Sequence, residues 1–215
     1  MNYNSIGIIG DVHCEDRLLK KAVAILIAKN SEIIICTGDI ADGKGDFDKC
    51  ISILERHDIM TIRGNHDNWL LTNTMRSLAD ATMIDNVDSR SIDYLKKLSK
   101  TQDIQTSMGA TLLCHGLGDN DMARLTPDDY GYALEANFEL QRIISDNKYS
   151  IIISGHTHRR MVRDIGNCIF INAGSLIISN DPCFSFADFH KNTIEFILLD
   201  ADGDISGTEI INFTQ

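Results

Sequence analysis

The sequence has little proline and little tryptophan, two and one among 215 residues. It also has no Pro/Ser-rich stretch, low-complexity tract or internal repeat to mark a linker, so one domain over residues 1–215 is expected. Long apolar runs are missing too. The longest, Ala22 to Ala28, has seven residues, whereas a membrane-spanning helix needs about 20, and no membrane association is expected. The N-terminus lacks a basic segment followed by a long apolar stretch, the pattern of a secretory signal, so a cytoplasmic location is the reading. Six cysteines (Cys14, Cys36, Cys50, Cys114, Cys168, Cys183) form no C-x-x-C pair and read as reduced, mostly buried thiols. Basic residues are the scarce sign, 20 against 31 acidic, for a formal net charge of -11. That balance repels phosphate backbones and argues against long nucleic acid as a partner. A small anionic ligand stays open, because a bound cation inverts the field locally.

What is present suffices for a sizeable core: 43% hydrophobic and 24% charged residues exclude disorder, collagen-like repeat and coiled coil. The opening alternates short apolar runs (Ile6 to Gly10, Ile33 to Thr37, Ile59 to Ile62) with amphipathic spacing over Arg17 to Lys29 and Asp46 to Arg56. This predicts strand-helix-strand-helix-strand with parallel neighbours. Asn68 to Asp88 is ambiguous. A helix over Ser91 to Lys100, a hairpin formed by Gln105 to Met108 and Ala110 to Cys114, a helix over Leu134 to Asp146 and a strand over Ser150 to Ile153 follow. Beyond Met161 the chain reads as strands and tight turns, so two packed sheets flanked by helices are expected.

Five apolar runs each end in polar residues: Gly10-Asp11-Val12-His13, Gly38-Asp39-Ile40-Ala41-Asp42, Gly64-Asn65-His66-Asp67, Cys114-His115-Gly116 and Gly155-His156-Thr157-His158. Loops beyond strand carboxyl ends converge in open α/β sheets, so these segments are expected at one edge. Imidazole, carboxylate and amide oxygen together suit divalent metals. Asp-x-His and His-x-His let both side chains turn toward one ion. Asp39 suits a bridging role, and Asn65 adds a neutral oxygen. Two dications, offset by Asp11, Asp39 and a bridging hydroxide, leave about +1, which attracts a phosphate. His66 is the candidate to stabilise the transition state or protonate the leaving oxygen, with Asp42 orienting it.

GDVH, GDIAD, GNHD, CHG and GHTH in this order resemble the calcineurin-like metallophosphoesterase superfamily, most closely its small prokaryotic phosphodiesterases and phosphatases. The resemblance implies a four-layer α-β-β-α sandwich with two mixed sheets. It also implies two divalent ions drawn from Mn, Fe, Ni, Zn or Co. Carried over by motif, Asp11, His13, Asp39 and His158 would hold one ion, and Asp39, Asn65, His115 and His156 the other. His66 matches the family's catalytic histidine. The implied activity is hydrolysis of a phosphomonoester or phosphodiester by a metal-bridging hydroxide. Departures narrow the class: Gly43 stands where phosphoprotein phosphatases carry a phosphate-gripping Arg, and Asp42 where purple acid phosphatases carry a metal-binding Tyr. Asn172-Ala173-Gly174-Ser175 replaces the Asn-Pro-Gly-Ser of many small members. The expected partner is a small phosphate ester; oligomeric state is not readable from the sequence. Two other readings remain: a non-catalytic interaction scaffold, as in a retromer coat subunit of this superfamily, and a nuclease. Asn68 to Asp88 and Leu117 to Tyr130 are the expected substrate selectors. The latter carries Asp119, Asp121, Asp128 and Asp129, which would repel a heavily charged ligand.

Overall fold

The computed structural model describes residues 2–213. In chain order the elements are β1 (Ser5–Ile9), α1 (Asp16–Ala28), β2 (Ile33–Cys36), α2 (Phe47–Arg56), β3 (Met60–Thr61), α3 (Asn65–Thr72), α4 (Ser89–Lys97), β4 (Thr101–Thr106), β5 (Gly109–Cys114), α5 (Tyr132–Glu135), α6 (Phe138–Asp146), β6 (Ile151–Ser154), β7 (Met161–Ile165), β8 (Cys168–Asn172), β9 (Cys183–Asp188), β10 (Thr193–Leu199) and β11 (Ile205–Asn212).

The strands form a six-stranded sheet, β11-β10-β9-β1-β2-β3, and a five-stranded sheet, β4-β5-β6-β8-β7. Both are mixed. β1, β2 and β3 run parallel, and β9, β10 and β11 continue antiparallel from β1. In the other sheet β5, β6 and β8 are parallel, with β4 and β7 antiparallel at the edges. Three apolar clusters separate four layers. One packs Leu18, Leu19, Val23 and Leu26 of α1 and Cys50, Ile51 and Leu54 of α2 against the first sheet. A second joins the sheets through Ile6, Ile8, Ile35, Leu113, Ile153, Ile171 and Phe196. A third seats Leu140 and Ile143 of α6 on Leu112, Ile152 and Phe170. Phe170, Phe184 and Phe196 are among the largest fully buried side chains, and each contributes about 1.5–3 kcal/mol of transfer free energy.

Local chemistry sets the helix ends. The Asp46 side chain accepts from Lys49 N and caps α2, and Asn137 accepts from Leu140 N to cap α6. That second cap splits the expected helix over Leu134 to Asp146. α5 ends at Glu135, and α6 starts afresh at Phe138, because Asn137 Oδ1 satisfies a donor that a continuous helix would satisfy internally. The ambiguous stretch from Asn68 resolves in part into α3, so Gly64-Asn65-His66-Asp67 opens a helix. The acidic run Asp200 to Asp204 forms the tight turn between β10 and β11, with Asp200 N donating to Asp204 O and Gly203 N to Asp200 O. Among the described residues no helix is long and apolar enough to cross a membrane.

Candidate metal centre

The parallel strands deliver their carboxyl ends to one edge, where the two sheets meet. Val12 N and His13 N both donate to Asp39 O, tying the first two motif loops through the backbone, and Gly155 N donates to His115 O, tying the last two. Asp67, fully buried, crosslinks two of them. Its Oδ1 accepts from Ile40 N and Ala41 N, and its Oδ2 from Gly64 N. Gly64 has to be glycine, since a Cβ there would stand 2.2 Å from Asp39 Oδ1. Asn172, also fully buried, pins the last loop by donating to Gly155 O and Thr157 Oγ1.

The structure brings all seven expected ligand residues into this cluster. The ligand atoms of His13, Asp39 and His158 lie within 4.8 Å of one another, and so do those of Asp39, His115 and His156, making Asp39 common to both groups. Asn65 Oδ1 lies 2.9 Å from His115 Nε2 and 3.0 Å from His156 Nδ1. Asp11 Oδ1 accepts from His156 N at 2.9 Å and lies 3.6 Å from His115 Nδ1.

These contacts fit a cation. His13 Nδ1 donates to Asp42 O and His115 Nδ1 to Thr37 O, both at 2.8 Å, so in each neutral ring Nε2 carries a lone pair turned inward. His13 Nε2 then faces His158 Nε2 at 3.1 Å, and His115 Nε2 faces Asp39 Oδ2 at 3.1 Å. Asp11 Oδ2 is buried and has no hydrogen-bond partner. Where two such lone pairs meet in a buried site, a proton or a cation has to stand between them. Without an ion, protons take part of that role. Burial lowers the His115 imidazole, but Asp39 and Asp11 outweigh it and lift its pKa to about 10. Burial raises Asp39 in turn, and His115, His66 and His13 overcome that and hold it below the ordinary carboxylate value. Burial pushes Asp11 up to about 7, and pushes His158, with His13 beside it, down to about 4.

Several site residues sit in the left-handed backbone region without being glycine: His13, Cys14, Asp39, Asp42, His156 and His158, with φ between 44° and 67°. Each is a position of strain.

His66 stands at the mouth of the cluster. Its Nδ1 donates to Asp42 Oδ2 at 2.8 Å and its backbone N to Asp39 Oδ1. Trp69 packs on its ring, with centroids 4.5 Å apart, and the edge of His13 lies at 4.8 Å. Burial lowers the His66 imidazole, but the Asp42 hydrogen bond and the neighbouring carboxylates raise it above its ordinary value. Nε2 has no hydrogen-bond partner among the described residues. Gly43, next to Asp42, leaves no room for any side chain, since a Cβ there would fall 1.8 Å from His13 O.

Sequence reasoning missed Arg76. Its Nη1 and Nη2 donate to Asp42 Oδ1 and Oδ2 at 2.7 and 2.9 Å, and its Nη1 also to Thr82 O. No spacing or periodicity signals this contact, because the partners are 34 residues apart and Arg76 lies in a stretch without regular structure. The two arginines that follow the last motif are spent at the surface: Arg159 pairs with Asp128 and Arg160 with Glu209. Cys14 is buried beside Thr82, and burial pushes its thiol to about 12, which disfavours the thiolate. His57 caps the end of α2, and His190 lies in the turn between β9 and β10.

A four-layer α/β sandwich whose sheets meet at two overlapping His/Asp groups is, as a class, a fold that can hold metal at its sheet edge. The chain belongs to the calcineurin-like phosphoesterase superfamily, whose domain model matches residues 5–201. No curated protein matches the sequence. Among solved structures it is similar to a metallophosphoesterase from Sphaerobacter thermophilus, at 17% identity and TM-score 0.67 over 93% of this chain and 89% of that one. An archaeal phosphodiesterase is similar at 18% identity and TM-score 0.59, over 91% and 99% of the two chains. Vacuolar Protein Sorting 29 from Cryptosporidium parvum is similar at 16% identity and TM-score 0.58 over 100% of each chain. These likenesses concern the fold.

Proposed function

We propose that this protein hydrolyses phosphate esters with two divalent ions, one held by Asp11, His13, Asp39 and His158 and the other by Asp39, Asn65, His115 and His156. The observation that carries this reading is the gathering of imidazole, carboxylate and amide ligand atoms into two groups that share Asp39, with Asp11 Oδ2 buried beside them and without a hydrogen-bond partner. Bound there, the ions would supply an activated water for in-line attack and offset charge on the phosphoryl oxygens. The chain's own contribution is orientation and proton transfer. His115 and His13 are fixed in tautomer and direction by Thr37 O and Asp42 O. His66, held through Nδ1 by Asp42, offers Nε2 to the departing ester oxygen and gives it a proton.

A monoanionic diester suits the site better than a doubly charged monoester. Among the described residues the one guanidinium that hydrogen-bonds a site residue is Arg76, and both its terminal nitrogens are committed to Asp42. Asn68 donates to Asp121, so the two expected rim segments touch, and Asp121 adds negative charge near His156. A cavity of about 510 Å³ opens beside His13 and Asp42, with Glu15, Arg17, Lys44, Ile177 and Ile178 among its lining, and would receive an organic arm of the ester. The scaffold reading draws on the likeness to Vacuolar Protein Sorting 29. The deciding experiment is a panel of aryl and alkyl phosphomonoesters and phosphodiesters with Mn²⁺, Zn²⁺, Ni²⁺, Co²⁺ or Fe²⁺ added and bound metal measured alongside. Turnover of diesters with two ions per chain is expected. Silence on every ester with metal bound would favour the scaffold.

A further inference from the structure

We propose that Arg76 is a positioning residue for His66, acting through Asp42, so that the loop between α3 and α4 completes the catalytic site. The proposal rests on the phosphoesterase reading above, and it names a residue outside all five motifs.

The geometry is a closed chain of contacts. Asp42 Oδ1 accepts from Arg76 Nη1 and from Thr82 N, each within 2.8 Å, and Oδ2 accepts from Arg76 Nη2 and from His66 Nδ1. In return, Thr82 Oγ1 accepts from Asp42 N. The carboxylate thus has four donors distributed over both oxygens and cannot rotate without breaking two of them. A carboxylate held only by His66 would swing with the imidazole. Held by a planar two-pronged guanidinium it becomes a fixed point, and His66 can then present Nε2 in one direction only.

Burial fits orientation better than stability. The Arg76 side chain is 9% exposed and that of Asp42 3% exposed, although Met75, Ser77 and Leu78 around Arg76 are exposed. One side chain of a solvated loop is turned inward, and the backbone is bent to do it. Asn73 ends α3 in a left-handed conformation and Met75 takes φ 54°. Arg76 Nε then closes on Thr74 O at 2.7 Å. Burying an ion pair recovers little net free energy, whereas a misplacement of about 1 Å in a catalytic group costs on the order of 100-fold in rate. The loop that carries Arg76 also carries Asp80, which lines the cavity beside His13, so docking of the loop sets His66 and one wall of that cavity together.

The test compares Arg76→Ala and Arg76→Lys with wild type and His66→Ala, each loaded with Mn²⁺ and checked for bound metal and melting temperature. Arg76→Ala is expected to keep its metal, lower kcat by about 10–100-fold with KM little changed, and lose more on an alkyl diester than on an aryl diester, whose leaving group needs no proton. Guanidinium ion in solution is expected to restore part of kcat, and Arg76→Lys, lacking the fork, to stay well below wild type. In a His66→Ala background the same substitution is expected to cost little further, because both act through one group. A low-field proton signal assigned to His66 Nδ1 by its loss in His66→Ala is expected to vanish in Arg76→Ala. Undiminished kcat in both Arg76 variants, an equal loss in the His66→Ala background, or persistence of that signal would overturn the proposal. Should wild type be silent on every ester, the phosphoesterase reading fails and the proton signal alone decides whether Arg76 positions His66. If Arg76→Ala does not fold, Arg76→Lys is read by the same criteria.

Discussion

The six-stranded sheet brings Asp11, His13, Asp39 and Asn65 to the site, three of the four offering oxygen. The five-stranded sheet brings His115, His156 and His158, all imidazoles. The two carboxylates are fully or almost fully buried; burial raises both, Asp39 raises Asp11 further, and His115 from the other sheet lowers both. The charge balance of the site therefore crosses from one sheet to the other. At this edge the sheets are joined by polar chemistry at the ends of three strands of one and two of the other, whereas between them the contact is the apolar cluster of Ile6, Ile8, Ile153 and Phe196. The lesson is that a metal bound here would also act as a clasp between layers, because its ligand groups draw on both sheets.

Asp39→Asn is the severest way to break that division, because Asp39 serves both groups. It is expected to lose both ions and on the order of 1000-fold or more in turnover, with metal content and diesterase rate as the readouts. His158→Ala removes an imidazole from one group only. Loss of about one ion per chain is expected, and loss of both would mean the groups bind as one unit. His66→Ala leaves the clasp intact: bound metal is expected to match wild type while turnover falls roughly 100-fold. An unchanged rate on an alkyl diester would remove His66 from the proton-transfer role. Stripping both metals with a chelator is expected to lower the melting temperature by about 10–20 °C relative to protein with free metal at about 100 times its dissociation constant for each site. No shift would mean that apolar packing alone joins the sheets. At the far end, breaking the exposed Lys21–Asp204 pair by Lys21→Ala is expected to change stability by less than about 0.5 kcal/mol and leave turnover unaltered.

Much of this was legible in the sequence because it is local. The strand ends at Ile9, Cys36 and Thr61 follow from short β-branched runs, and the ligand residues sit two to four positions beyond them. The break at Asn137 had a signal, a capping residue three positions before Leu140, but the apolar periodicity on both sides masked it. The helix α3 starts inside a motif that reads as a strand-end loop, since Asn65-His66-Asp67 carries no apolar periodicity of its own. Arg76 was invisible for a different reason. Its role depends on a turn after α3 that returns the chain to Asp42, and a contact between segments 34 residues apart leaves no trace in local spacing. The same holds for Asn172 and Asp67, whose side chains tie loops together from positions that read as turns.

The left-handed conformations at His13, Cys14, Asp39, Asp42, His156 and His158 bear on the choice between enzyme and scaffold from the side of selection. Each costs about 1–2 kcal/mol relative to glycine, so together they consume a large part of the roughly 5–15 kcal/mol by which a domain of this kind is stable. A chain used only as an interaction surface would keep its fold and gain stability when any one of them is relaxed, whereas a metal-dependent enzyme would lose ligand placement. Six of the thirteen non-glycine residues in that region gather at these loops.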